Sequence, residues 1–265
     1  MKTTLAVAVA VLLATTAAGS AADLAVKGPA YVSPAPVWSW TGFYIGAHAG
    51  AGWGTTESTL NSITAVGIPG VVGVGLPIAQ NSRSGFLGGG QLGYNYQSGW
   101  AVFGVQGDFA GLDVKGTTPC LTVLSCNANS HWLATATGRI GGVVADRTLV
   151  YIKGGGAWMN TTHTLTVPAA GALGIGVAGL SGSSADSNTF GWLLGFGAEY
   201  AFSPNWSGFI EYDYMDFDSK SIALNLTVPG GPIGIANVSI QNKLSVAKIG
   251  VNYKFDYGAP VVAKY

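Results

Sequence analysis

From residue 42 to residue 255, apolar residues alternate with small or polar ones at every second position, in runs separated by turn-forming residues. Side chains of an extended chain point to opposite faces with period two, so such runs predict strands with one apolar side. In 85–96, Phe86, Gly88, Gly90, Leu92, Tyr94 and Tyr96 share one face, and Leu87, Gly89, Gln91, Gly93 and Asn95 share the other. In 100–112, Phe103, Val105 and Phe109 oppose Gln106, Asp108 and Ala110. In 206–217, Ile210, Tyr212 and Tyr214 oppose Phe209, Glu211, Asp213 and Met215. The same rhythm runs through 42–53, 131–145, 148–160, 189–202 and 243–255, which makes eight strands.

The connections alternate in length. Short ones fall near 97–99, 146–147 and 203–205, and long ones at 55–84, 114–129, 161–187 and 218–241. Short turns at one end and long loops at the other are how outer-membrane barrels are laid out. The fold class expected is therefore all-β, an eight-stranded antiparallel transmembrane β-barrel with short periplasmic turns and long external loops. The alternation persists inside the long connections, as in 221–228 and 233–240, which predicts that strands continue beyond the membrane as hairpins. These loops are rich in Val, Ile, Gly and Pro, and exposed apolar loops point to contact with a surface or host ligand, or to packing on one another.

Composition sharpens this picture. Only 9% of the 265 residues are charged and 41 are glycine, against roughly 25% charged in an ordinary soluble domain. That is too little charge to cover a water-facing surface. The longest apolar stretches, 63–79 and 165–180, are broken by Gly and Pro, so no segment reads as a spanning helix. A closed barrel is the other way to pair every backbone group in hydrocarbon. A periplasmic or extracellular β-sandwich also alternates, but its signature is evenly short turns. Tyr94, Tyr96, Tyr212 and Tyr214, with Trp100, Trp158 and Trp206, fall near strand ends and suit aromatic girdles.

The amino terminus sets the compartment. Lys2, the uncharged apolar run 5–14 and the small residues Ser20-Ala21-Ala22 make a secretory signal peptide over 1–22, with a cut after Ala22 or, as the other option, after Ser20. Residues 23–41, with Pro29, Pro34 and Pro36, form a periplasmic linker. The barrel proper is 42–255 and a tail follows at 256–265. Such a chain is expected to meet the barrel assembly machinery, outer-membrane lipid and lipopolysaccharide. The 12 basic and 12 acidic residues form no basic patch, so nucleic acid is not an expected partner. Cys120 and Cys126 could close a small disulfide loop in an oxidising compartment, and their spacing also allows free thiols. No metal-ligand spacing involves them or His48, His131 and His163. His48 is read as a lumen residue and His163 as a loop residue.

The candidate chemistry lies on the face opposite the apolar one. Asp108, Glu199, Glu211 and Asp213 face Arg139, Lys153, Lys248 and Lys254 across the predicted bore. An eight-stranded barrel is just wide enough to be filled by side chains, and buried charges must pair. The expected arrangement is a salt-bridged plug. Gly89, Gly93, Gly104, Gly141, Gly155, Gly195, Gly197 and Gly250 on the same face would make room for it. Two other readings stay open. If the charges do not meet, the chain is a narrow porin passing small solutes. An envelope enzyme would need a nucleophile or carboxylate set at the rim, which the sequence does not show. No cofactor motif is present, and the glycine runs 88–90 and 154–156 sit inside strands rather than opening helices.

The segment Trp38-Ser39-Trp40-Thr41-Gly42-Phe43-Tyr44-Ile45-Gly46 resembles the start of the first strand in the small outer-membrane β-barrel proteins of alpha-proteobacteria, the surface-antigen or opacity-type "porin family". Ala22-Asp23-Leu24-Ala25, Glu211-Tyr212-Asp213-Tyr214-Met215-Asp216-Phe217 and Ile249-Gly250-Val251-Asn252-Tyr253-Lys254-Phe255 are similar to that family too. The resemblance runs from the signal to Phe255. It implies envelope-integrity and host-facing surface roles, and brings no catalytic residues. Many such barrels end on an aromatic residue read during assembly. Here Phe255 is followed by ten further residues ending in Tyr265, so either aromatic could be that signal.

Overall fold

The computed structural model describes residues 38–65, 71–120, 124–166, 181–228 and 230–255. The expected signal peptide, most of the linker and the tail lie outside the described residues. The strands are β1 (Gly42–Ala65), β2 (Val71–Ser98), β3 (Ala101–Cys120), β4 (Leu124–Ala145), β5 (Thr148–Thr166), β6 (Ser181–Ala201), β7 (Trp206–Phe217), β8 (Lys220–Val228) and β9 (Gly231–Lys254). Each of β1 to β6 pairs antiparallel with its successor, β6 pairs with β7, and β9 closes the ring onto β1. Both β7 and β8 pair with β9, so they are two lengths of one strand. The break is at Asp218-Ser219, where the Asp218 amide donates to the Phe190 carbonyl at 2.8 Å. The ring is therefore eight strands around, as the alternation predicts. Among the described residues, every strand is paired on both sides from the short turns up to about Ser84 on β2 and Gly191 on β6, which is what hydrocarbon demands.

The outward positions explain why the ring belongs in a membrane. Phe86 is 78% exposed, Leu92 66% and Ile249 64%, with Phe103, Ile140, Ile152, Phe196 and Val251 exposed beside them. Aromatic pairs band the two ends of this apolar belt. Trp206–Tyr253 and Tyr253–Phe255 pack near the short turns, and Phe109–Trp132, Trp158–Phe190 and Trp192–Tyr214 near the far end. Past that far band the outward face turns polar, with Glu57, Gln80, Ser82, Asp113 and Lys115 exposed. A polar outward face of this kind suits water rather than hydrocarbon.

This corrects the reading of 55–84, 114–129, 161–187 and 218–241 as long loops, while bearing out the expected hairpin continuation. A strand crosses a membrane in about 9–11 residues, yet β2 has 28 and β1 and β9 have 24 each. The ladder persists because the inward positions stay buried: Thr56, Ser58 and Leu60 on β1, Thr161 and His163 on β5, Val238, Ile240 and Asn242 on β9. At the short end, Gly99 takes a positive φ of 61° in the Gly99-Trp100 turn joining the paired Ser98 and Ala101, a conformation that favours glycine.

Residues 38–41, the last four of the expected linker, pack against the barrel. Trp38 to Thr41 do not trail free of the barrel. Trp40 is buried against Val102, Leu149, Tyr151 and Ala201. Its amide donates to Gln97 Oε1 at 2.8 Å, and the Gln97 amide donates to Thr41 Oγ1 at 3.0 Å. The indole sits inside the short-turn end of the bore.

Candidate functional site

Above the Trp40 cap, the bore holds a polar belt. Every second residue of each strand points inward, so Asp108 on β3, Arg139 on β4, Lys153 on β5, Glu199 on β6, Glu211 and Asp213 on β7 and Lys248 on β9 meet inside. Lys153 Nζ lies 2.6 Å from Glu211 and 3.2 Å from Asp213. Lys248 Nζ bridges Asp108 at 3.0 Å, Glu211 at 2.8 Å and Asp213 at 3.3 Å. Arg139 Nη1 pairs with Glu199 at 3.2 Å. These seven side chains are buried and each finds an opposite charge.

Lys254 does not join them. It lies at the short-turn mouth, where its ammonium donates to the Ser39 carbonyl and sits 4.2 Å from the centre of the Trp38 ring. It is displaced because it pairs with Tyr44 of β1 at the end of the ladder, below the belt. The belt thus holds four carboxylates to three cations.

Several belt residues carry no charge and were not singled out from the sequence. The Arg139 guanidinium lies over the rings of Tyr44 and Tyr151, 4.7 and 5.0 Å from their centres, and its Nε donates to Asn95 Oδ1 at 2.9 Å. The Tyr44 hydroxyl donates to Gln106 and that of Tyr151 to Glu211. Thr135 donates to Asp108, and Ser207 and Asn252 to Glu199. Strand alternation places all of them on the inward face, which was the available signal. His48 is buried in the belt, as expected.

The glycines divide. A Cβ at Gly104 would meet Arg139 Cγ at 3.0 Å, one at Gly195 would strike the Asp213 carboxylate, and one at Gly197 would lie 2.7 Å from the Tyr151 ring. Gly93 makes room for Tyr44 and Gly250 for the Phe209 ring. Gly89, Gly141 and Gly155 instead face the backbone or Cβ of the neighbouring strand, so they allow close approach of strands rather than room for charges.

Beyond the belt, an apolar tier fills the bore: Leu87, Leu112, Val114, Leu133, Met159, Leu193, Met215, Phe217, Leu244 and Val246 pack together. The void where belt and tier meet, beside His48, Asp108 and Lys248, has a volume of about 10 Å³, which is room for at most about one water.

A second polar tier follows in the external half. Arg83 on β2 is 2% exposed, and its Nη1 donates to Ser130 Oγ at 3.0 Å. Ser130 in turn shares a 3.0 Å hydrogen bond with Thr161. Thr56 donates to Asn242 at 2.8 Å. His163 is buried on an inward strand position, not in a loop as expected, because β5 runs to Thr166. Burial, with the Arg83 charge nearby, pulls its imidazole down to about 4, so it is neutral at physiological pH. Arg83 was missed because it fell in a presumed loop. The signal was present: Asn81 and Arg83 continue the inward series of Leu87 and Gln91. Outside the bore, His131 hydrogen-bonds Thr162 at 2.9 Å on the exposed face.

Among the described residues, no group of three or more His, Cys, Asp or Glu side chains is arranged to hold a metal ion. The backbone register sets Cys126 opposite Thr118 and Cys120 opposite Leu124. The side chains of both cysteines lie outside the described residues, as does the possible disulfide between them.

A family model described as outer membrane protein beta-barrel domain matches residues 7–255. The chain is 32% identical over 263 residues to a 31 kDa outer-membrane immunogenic protein of Brucella melitensis, covering 96% of this chain and 100% of that one. A 25 kDa outer-membrane immunogenic protein of Brucella abortus is 26% identical over 258 residues, covering 93% of this chain and 95% of its own. Among solved structures, the outer membrane protein OprG from Pseudomonas aeruginosa is similar with a TM-score of 0.49 at 14% identity, over 83% of this chain and 99% of OprG.

Proposed function

Since the chain belongs to the outer membrane protein beta-barrel domain family and resides in the outer membrane, we propose that it is a non-conducting, non-enzymatic barrel that supports the envelope and presents its external hairpins to a surface or host ligand. The observation that carries this reading is the stacked filling of the bore. The Trp40 cap, the paired-charge belt and the apolar tier follow one another along it. A charged solute would have to part buried ion pairs at a cost of several kcal/mol each and then cross the apolar tier. What remains free to act is the outer surface. There the strands rise well past the membrane, and the relatives are named for immunogenicity. The belt charges are committed to one another, which supports a structural rather than a catalytic role for them. The alternative, a narrow porin, requires those contacts to open.

The test is complementation. In a strain lacking the protein, we compare the full chain with one whose residues 223–237 are replaced by Asn-Gly. That replacement joins the paired Ile222 and Val238 by a two-residue turn. Detergent resistance is expected to be restored by both, and adhesion to host surface by the full chain alone. Equal adhesion by the trimmed chain would remove this hairpin from the surface role. Failure of both chains to restore resistance would remove the envelope role.

A further inference from the structure

The external polar tier contains a buried cation that no carboxylate among the described residues neutralises. Arg83 Nη1 is held by Ser130 Oγ, but Nε and Nη2 have no acceptor among the described residues. These two N–H groups lie along one edge of the guanidinium and point in parallel, the fork that receives two oxygens of a carboxylate or other oxyanion. In the same tier the Asn242 side-chain amide nitrogen, held in place through its oxygen by Thr56, also lacks an acceptor among the described residues. Gly116 across the strand makes room for the Arg83 stem, since a Cβ there would lie 2.6 Å from Arg83 Cγ.

The described carboxylate side chains are all placed elsewhere. Asp108, Glu199, Glu211 and Asp213 are engaged in the belt, below the apolar tier. Glu57, Asp113 and Asp218 are exposed on the outside, and Asp216 accepts from Gln241 on the outward face. In the backbone register Asp186 stands opposite Thr162 of β5. Asp146 is in a short turn at the opposite end of the barrel. The external connecting segments 66–70, 121–123, 167–180 and 229 contain no Asp or Glu, and the remaining two, Asp23 and Asp256, lie in the terminal segments. A buried charge without a partner is unfavourable, so a counter-ion from outside the chain is the natural complement.

We propose that Arg83, braced by Ser130 and Thr161, forms a binding site for a small oxyanion of the carboxylate or sulfate class in the external half of the barrel. The Nε/Nη2 edge would take two of its oxygens.

The experiment uses the refolded chain in zwitterionic micelles. Its melting temperature is followed against millimolar sodium acetate and, separately, sodium sulfate, with ionic strength held constant by sodium chloride. The wild-type protein is expected to gain several degrees along a saturating curve with at least one anion. The acetate and sulfate arms separate a planar carboxylate from a tetrahedral oxyanion. Arg83→Met, which removes the charge but keeps most of the stem's bulk, is expected to respond to neither and to melt no lower than wild type in chloride alone. Arg83→Lys keeps the charge without the fork and is expected to bind at least about tenfold more weakly. The absence of saturation in wild type, or the same curve from wild type and Arg83→Lys, overturns the proposal. So does an Arg83→Met protein that follows the wild-type curve, which would mean a general salt effect.

Discussion

Arg139 is fixed from several directions at once: the ion pair to Glu199, the Nε bond to Asn95, and the faces of Tyr44 and Tyr151. Removing it leaves Glu199 buried without its cation. Arg139→Ala is therefore expected to destabilise the barrel by about 3–5 kcal/mol, read as a lower urea midpoint in micelles. The double substitution Arg139→Met with Glu199→Gln is expected to lose less than Arg139→Met alone. Equal losses would mean that the pair is not coupled. His163 gives the second prediction at this scale. Its folded pKa, about 4, lies below the ordinary value of 6.5 because burial disfavours the cation. The stability it contributes is complete above pH 6.5 and is lost as pH falls through the folded value. The full loss is on the order of 1–3 kcal/mol. His163→Gln is expected to flatten stability between pH 6.5 and 4 relative to wild type. An unchanged slope would show that the imidazole is accessible to solvent. Period-two alternation was enough to find Arg139, Lys153 and Lys248, because each lies inside a membrane-spanning run with an unmistakable apolar face. It did not separate Lys254, since the pattern gives a side chain's face but not its depth in the bore.

At the scale of elements, the short end of the barrel depends on four residues preceding β1. Trp40 is 2% exposed. Trp40→Ala is expected to cost about 3–5 kcal/mol while leaving the bore closed, because the apolar tier around Leu133, Met159 and Leu244 is independent of it. Unfolding and bilayer conductance measured on the same variant check both halves, and an open bore would assign closure to the cap instead. The strand cores and β7, found at 206–217 as expected, were readable from the sequence because lipid enforces an apolar outward face there. The external lengths were harder. Above the membrane the outward face turns polar, while the inward one mixes Thr56, Ser58 and Leu60. The contrast that marks a half-buried strand fades while the hydrogen-bond ladder continues. Arg83 and His163 were lost to the sequence reading for that reason.

For the whole molecule, one physical requirement accounts for the architecture. Closure of β9 onto β1 satisfies the backbone in lipid, and a ring of this size leaves an interior that side chains can fill. This chain fills it in tiers, apolar at both sides of a charged belt. The outer surface is the inverse of a soluble protein's, as exposed Phe86 and Ile249 illustrate. The proposed role requires a closed bore. Single-channel conductance of the refolded chain in a planar bilayer, with circular dichroism confirming β structure, tests it most directly. A folded barrel that stays silent is the predicted result. Steady ohmic steps from the folded wild-type chain would contradict it and make the charged belt a conduit.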